Sequence, residues 1–555
     1  MKFSIFNFQF SIPRPALARV PCLAAALLWL CSATGARANV YATHLRFNGC
    51  TTNVVVPPGG NITIAYILNE AATAGVTIEI KSGGTSLRTI TLTNGSPGTA
   101  SGANSVVWDG RDAPGNSVAS GTYSISITAA ATGYDDWTRI SDDANPDNYV
   151  YQASGIAVNK NTNSLYYGRV FVANSQAGPN PAAVPGDRPG LQKWNADGSP
   201  ADEGVFGDGG WPWEGISYSP WKVEVPADDK VYVGDFSSNG LVLSFDQTIG
   251  SNSLRLVLRA DNWPNGGAVK LSGPFISGPA TNSQLWMADT TYTNGVGIHR
   301  WNLSPDGAAA TNDLGATIVQ AGPGSDLDLY PYDVAVDRSN AIYTIQNVTD
   351  PSDPSYRVFR FAAPGSGLSE TNAAWKIGSG DDSMRGAYGV AADPTGTLVA
   401  VAFYGVGAFP NTAGGAARVF LATNGAEVAT LTPATYHYHT DVAWDNVGNL
   451  YTLDGYDQLW RVYSPPGTNQ AATVVTAALQ IGVPPAPPLL SSPSYAAGQF
   501  QFNLDGQPCV GYIIQASADL QTWIPVATNS SPSPTRLITL SAPLAQSFYR
   551  ALVGQ

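Results

Sequence analysis

A chain of 555 residues exceeds what one hydrophobic core organises, so several domains are expected. Only 12% of residues are charged, Gly (58) and Pro (40) are abundant, and 41 acidic residues against 28 basic ones give a formal net charge of −13. That balance excludes a basic face for nucleic acid or an anionic membrane, and the turn-rich composition suits an all-β chain.

The first stretch reads as a secretory leader over residues 1–38. Lys2, Arg14 and Arg19 precede the apolar run VPCLAAALLWLC, and Ala36 and Ala38 form an Ala-x-Ala cleavage site before Asn39. The run is too short to span a bilayer, so the protein is expected to be secreted, with no membrane insertion after cleavage. Losing the leader removes four basic residues and no acidic one, leaving 24 against 41 and a net charge of −17. Cys50 and Cys509 then remain, in different predicted domains, and read as two lone buried thiols in preference to the disulfide that an oxidising compartment would allow between them.

Residues 39–132 alternate apolar and polar positions. Ile62, Ile64, Tyr66 and Leu68 share one face, as do Val76, Ile78 and Ile80. The pattern predicts a small antiparallel sandwich. Its end, VVWDGRDAPGNSVASGTYSISITA from Val106, resembles the FlgD-like immunoglobulin-type domain. The resemblance implies a structural or assembly module of exported proteins. Asp109 and Asp112, each in a Gly-containing loop, read as turn caps in preference to a calcium site.

From 133 to 482 one pattern recurs six times. Each copy opens on an apolar run: SGIAVN from Ser154, WKVEVP from Trp221, PFISGP from Pro274, YDVAVD from Tyr332, YGVAAD from Tyr388 and TDVAWD from Thr440. A second and a third run follow in each copy, as in KVYVGDF and LVLSFDQ, and a fourth is traceable, with TVVTAAL assigned to the sixth copy. Short runs rich in Val, Ile, Tyr, Phe and Trp between Asn, Asp and Gly turns are strands. Six copies of four strands predict a six-bladed β-propeller, with Val158, Val223, Ile276, Val334, Val390 and Val442 on the innermost strands. The stretch Ile377 to Phe403 and its partial repeat from His439 resemble the NHL repeat. Propellers of that kind bind proteins or RNA, or act as metal-dependent lyases and lactonases, so the resemblance implies a fold and leaves the function to the site.

Residues 483–494 (VPPAPPLLSSPS) read as a Pro-rich linker, and 495–555 as a second small β-sandwich framed by GYIIQASADLQTW and FYRALVGQ. The predicted fold class is therefore all-β, a six-bladed β-propeller flanked by two small sandwiches.

Chemistry is expected in the loops that lead into the innermost strands and in the turns after the second strands, which share one face. Trp211, Trp213, Trp221, Tyr332, Tyr388, Tyr436 and Tyr438 gather there as an aromatic rim suited to stacking on sugars or gripping extended peptides. His437, His439 and Asp441 alternate along one strand, and with Asp333 they form the candidate set for a divalent metal. Lactonase-like propellers carry a Glu at the start of the first blade, where this chain has Gly155. Lys222 stands in the same layer as Asp333 and Asp441, which favours an internal ion pair. No GxSxG, Walker A, CxxC pair or HExxH is present, and no catalytic residue is assigned. The expected function is a secreted or surface-associated, non-enzymatic binding protein for a carbohydrate, protein or peptide. The alternative is a metal-dependent hydrolase or lyase of the lactonase-like type.

Overall fold

The computed structural model describes residues 39–554 apart from short segments, the longest being 321–330 and 406–414. The leader therefore lies outside the described residues, as do Tyr436 and His437. Strands dominate, and the helical turns are short 3-10 segments such as Pro146–Asn148.

Six four-stranded antiparallel sheets follow one another. Their first strands are Ala153–Val158, Val223–Glu224, Leu271–Ser277, Pro331–Val336, Ala387–Ala392 and His439–Trp444. All six residues expected on innermost strands lie on these first strands, and all are buried. In sheets one to five the remaining strands follow in chain order. The first strand of each sheet lies against the first strand of the next, and that of sheet six lies against that of sheet one. Six separate apolar cores fill the spaces between neighbouring sheets. The core between sheets six and one holds Ile156, Val172 and Trp194 against Ala443, Leu453 and Trp460.

Sheet six departs from expectation. Its fourth strand is Thr138–Arg139, which precedes sheet one in the chain and pairs with Tyr463 and Ser464. The run expected there, now Val475–Ile481, lies instead in the N-terminal domain. It runs parallel to Val54–Val56 and pairs antiparallel with Gly121–Ala130, from Val475↔Ile127 to Ile481↔Gly121. Leu479 and Ile481 belong to the same core as Trp108, Ile125 and Ile127. An apolar run declares a strand without declaring its sheet, and this one buries more in the N-terminal core than a polar outer edge would allow. The repeat region accordingly ends near Ser464 and not at 482. Arg461 secures the junction: it is buried, its Nε donates to Asp143 (3.0 Å), and it pairs with Asp454 and Asp457.

The N-terminal domain packs the sheet Ala42–Phe47, Ile62–Leu68 and Gly102–Trp108 on a five-stranded sheet. Trp108 fills its core and donates from Nε1 to Arg111 O (2.8 Å). Asp109 and Asp112 accept from the backbone of Arg111 (3.1 Å) and Asn116 (2.7 Å), the turn-cap role expected of them. Cys50 is disulfide-bonded, which corrects the reading of two lone thiols; its partner lies outside the described residues. The C-terminal sandwich packs two three-stranded sheets around Phe502, Leu504, Tyr512 and Ile514, and its first strand, Leu489–Ala496, takes in the second half of the stretch expected as linker, because its backbone pairs with Gln499–Asp505.

Candidate functional site

The site grows from a local irregularity repeated in five sheets, of which three place it at the site. Pairing between first and second strands slips by one residue between Pro331 and Asp333, Ala387 and Gly389, and His439 and Asp441. Such a bulge adds a residue to one strand and re-aims its side chain. The extra residues are Tyr332, Tyr388 and Thr440; in sheet two, Trp221 holds the equivalent place just before its strand.

Around these positions the rings touch in an unbroken series. Tyr218 meets Trp221 edge-on at 6.3 Å between centroids, Trp221 stacks on Phe236 at 4.7 Å, and Phe236 meets Tyr332 at 5.9 Å. Tyr332 then contacts Tyr388 (4.8 Å), Tyr388 stacks on Tyr404 (5.0 Å), Tyr404 meets Tyr438 (4.5 Å) and Tyr438 meets Tyr456 (6.3 Å). Eight aromatic side chains from sheets two, four, five and six thus form one belt. Tyr218 (46%), Tyr404 (38%) and Tyr456 (43%) are the exposed members, whereas Trp221 is 8% exposed. Burial pushes the phenol of Tyr438 up to about 12 and raises those of Tyr332 and Tyr404, so all three stay protonated at neutral pH.

Of the rim residues named from sequence, Trp221, Tyr332, Tyr388 and Tyr438 belong to this belt. Trp211 and Trp213 do not, and their assignment to the rim is corrected. Trp213 is 2% exposed, packs at 6.3 Å on Phe245 and lies in the core between sheets one and two; Trp211 leans on it edge-on. The cause is the loop itself. Gly209 has φ +63°, and a Cβ there would stand 2.2 Å from the Phe245 ring, so glycine lets the loop fold flat and deliver the indole inward. Trp213 Nε1 donates to Asp208 O (2.9 Å), completing its polar satisfaction. Tyr218, Phe236, Tyr404 and Tyr456 were missed. Phe236, Tyr404 and Tyr456 lie within two residues of the ends of second strands, in turns that the chain order places on the same face.

One layer below the belt stand Gly155, Phe275, Asp333, Gly389 and Asp441 on first strands, and Lys222 immediately before its own. Lys222 Nζ donates to Asp441 Oδ1 (2.7 Å) and to Thr440 O (3.0 Å), and lies 3.8 Å from Asp333 Oδ2. Each carboxylate also accepts from the first strand of the next sheet: Asp333 from Val390 N (3.1 Å) and Asp441 from Ile156 N (2.9 Å). Asp441 therefore ties sheet six to sheet one. A Cβ on Gly389 would stand 2.2 Å from Asp441 Oδ1 and 3.0 Å from Lys222 Nζ, so glycine makes room for the trio. Burial raises both carboxyls above their ordinary range, and the Lys222 ammonium draws them back.

The proposed metal ligands separate. His439 pairs with Asp454 and Asp441 with Leu453; these partners are consecutive, so His439 and Asp441 point to opposite faces. The bulge has broken the alternation that suggested a shared face. Asp441 and Asp333 face the ammonium of Lys222. Among the described residues no group of three or more His, Cys, Asp or Glu is placed to hold a metal ion. Asp235 and Asp454, at the ends of second strands, accept from Ser237 N (2.9 Å) and Tyr456 N (2.9 Å) as turn caps.

The described residues thus form a nearly all-β chain of four-stranded sheets carrying an Ig-like domain. Residues 52–133 match the FlgD Ig-like domain family. No curated protein matches the chain. Among solved structures it is similar to a glucose dehydrogenase, at 13% identity over 59% of this chain and 98% of that one, with a TM-score of 0.33. A GH43 β-xylosidase/α-arabinofuranosidase from a compost microbial metagenome, solved with xylotriose, gives 12% identity over 50% and 90%, with a TM-score of 0.28. KlAtg21 in complex with the coiled-coil of AgAtg16 gives 10% over 68% and 99%, also with a TM-score of 0.28. Likeness at that level assigns no function. No helix among the described residues is long and apolar enough to cross a membrane.

Proposed function

We propose that the six sheets are the blades of a closed, NHL-like β-propeller, and that the protein is an exported, non-enzymatic binding protein whose aromatic belt holds a glycan or peptide ligand. Closure is supported by the Asp441 to Ile156 hydrogen bond, by the apolar core between sheets six and one, and by Thr138–Arg139 completing the last sheet from the other end of the repeat. Export is supported by the leader and by the FlgD-like domain.

The observation that carries the binding reading is the belt of eight contiguous rings with three exposed tyrosines. Aromatic clusters of this extent normally lie in a core, and rings left at a rim anchor ligands. A glycan and peptide array probed with the wild-type protein and a Tyr404→Ala variant tests it. Loss of signal in the variant is expected, and equal signals from both proteins would sink the reading.

A further inference from the structure

The belt sits above an uneven set of charges and unmet hydrogen bonds. Facing it from sheets two, four and six are Asp235, Asp333 and Asp441, all buried. Asp235 is held by the hydroxyls of Ser219 and Ser237 and makes no ion pair among the described residues. The cations at this level are Lys222, shared between Asp333 and Asp441, and Arg385, half-buried on the loop whose backbone oxygen accepts from Gly405 N (3.0 Å) beside Tyr404. Glu224, lower on the strand that Lys222 leads into, is paired with Lys160 (3.5 Å). Counted as formal charges, these described groups leave the acidic side one ahead, on a protein that is itself strongly acidic.

Among the described residues several buried polar atoms at the belt have no partner, two of them on deeply buried side chains. Gln346, in register with Pro331 beside Tyr332, has an Oε1 that receives no donor, and the Trp221 Nε1 finds no acceptor. Both side chains are more than nine-tenths buried. Leaving such groups unpaired is costly, which marks them as places where a ligand has something to supply.

We propose that the belt receives a basic peptide segment, with a lysine ammonium or arginine guanidinium entering among the rings. This rests on the reading of the belt as a binding site and names its ligand. A cation answers the excess negative charge, gains from aromatic faces and brings donors for Gln346. A peptide carbonyl meets the indole N–H, which a bare cation would leave unmet. A neutral sugar could satisfy both orphan atoms, but it does nothing for the charge.

Tryptophan-fluorescence titration tests this, using N-acetylated, C-amidated tetralysine, the same peptide with every lysine acetylated, and xylotetraose. Each is titrated against the wild type and against Tyr404→Ala and Tyr218→Ala, which leave net charge unchanged and alter exposed rings. Saturable binding of tetralysine is expected, with about tenfold weaker binding of the acetylated peptide and about fivefold weaker binding of tetralysine to either variant. Tetralysine binding equally to wild type and variants would reflect bulk attraction to an acidic protein and would overturn the proposal. Acetylated peptide or xylotetraose binding as tightly as tetralysine, in a Tyr404-dependent way, would overturn the cationic ligand while leaving the belt a binding site. No binding of any probe overturns the proposal, and the array then decides the broader reading.

Discussion

Replacing Lys222 by methionine tests the layer beneath the belt. The ammonium is 3% exposed, and its removal deletes a charge-assisted bond to Asp441 and the attraction to Asp333 while leaving both carboxylates buried. Breaking a buried pair from one side costs about 3–5 kcal/mol. The penalty has a ceiling, because a stranded carboxyl escapes by taking a proton. From an ordinary value near 3.8 that costs about 4 kcal/mol at pH 7 and about 1.6 kcal/mol at pH 5, at about 1.4 kcal/mol per pH unit; burial already raises Asp333 to about 7, so the penalty falls mainly on Asp441. Lys222→Met should therefore be destabilised by about 3–5 kcal/mol at pH 7.5 and by markedly less at pH 5. Adding Asp441→Asn should recover a good part of the loss. Hydrogen exchange of the Ile156 and Val390 amides, which the two carboxylates accept from, follows this region apart from the flanking domains. A loss below about 1 kcal/mol at pH 7.5, or one independent of pH, would refute the assigned role.

Three further outcomes follow. Trp213→Ala should cost about 3–5 kcal/mol of stability in thermal or urea unfolding and leave ligand affinity unchanged, since its ring fills the core between sheets one and two. A chain ending at Gly482 should keep the N-terminal domain folded, whereas one ending at Ser464 should lose near-native protease resistance there, because Val475–Ile481 pairs along its own whole length with a core strand. Burial pushes Glu70 and Asp445 up to about 7. Groups raised in this way bind more protons folded than unfolded, so their contribution is full below about pH 4 and is lost as pH rises through 7. The melting temperature should accordingly fall between pH 5 and pH 8; a rise across that window would contradict the assignment.

Much of the architecture was legible because each first strand carries its own buried valine or isoleucine between Asn, Asp and Gly turns, a signal that needs no tertiary knowledge. The partners of strands were less legible. Thr138–Arg139 is too short and polar to announce itself, and TVVTAAL reads as a strand equally well in either sheet. At the site, Trp221, Tyr332, Tyr388 and Tyr438 were found because loop position alone placed them on one face. Trp213 was misplaced because a Gly-rich loop reads as exposed, while the same glycines let it fold onto Phe245. His439 and Asp441 were joined by strict alternation, which one bulge overturned. Lys222 between two aspartates was legible from register, since all three stand at equivalent places in their repeats.

The most direct test of the account is the affinity of the strongest array ligand for the wild type and for Tyr404→Ala, measured alongside the melting temperatures of both. The account predicts a loss of about 1–3 kcal/mol in binding with melting temperature nearly unchanged, because Tyr404 is exposed at the belt and adds little to a core. Unchanged affinity, or an affinity loss that merely tracks a lower melting temperature, would contradict the claim that the belt is where this protein holds its ligand.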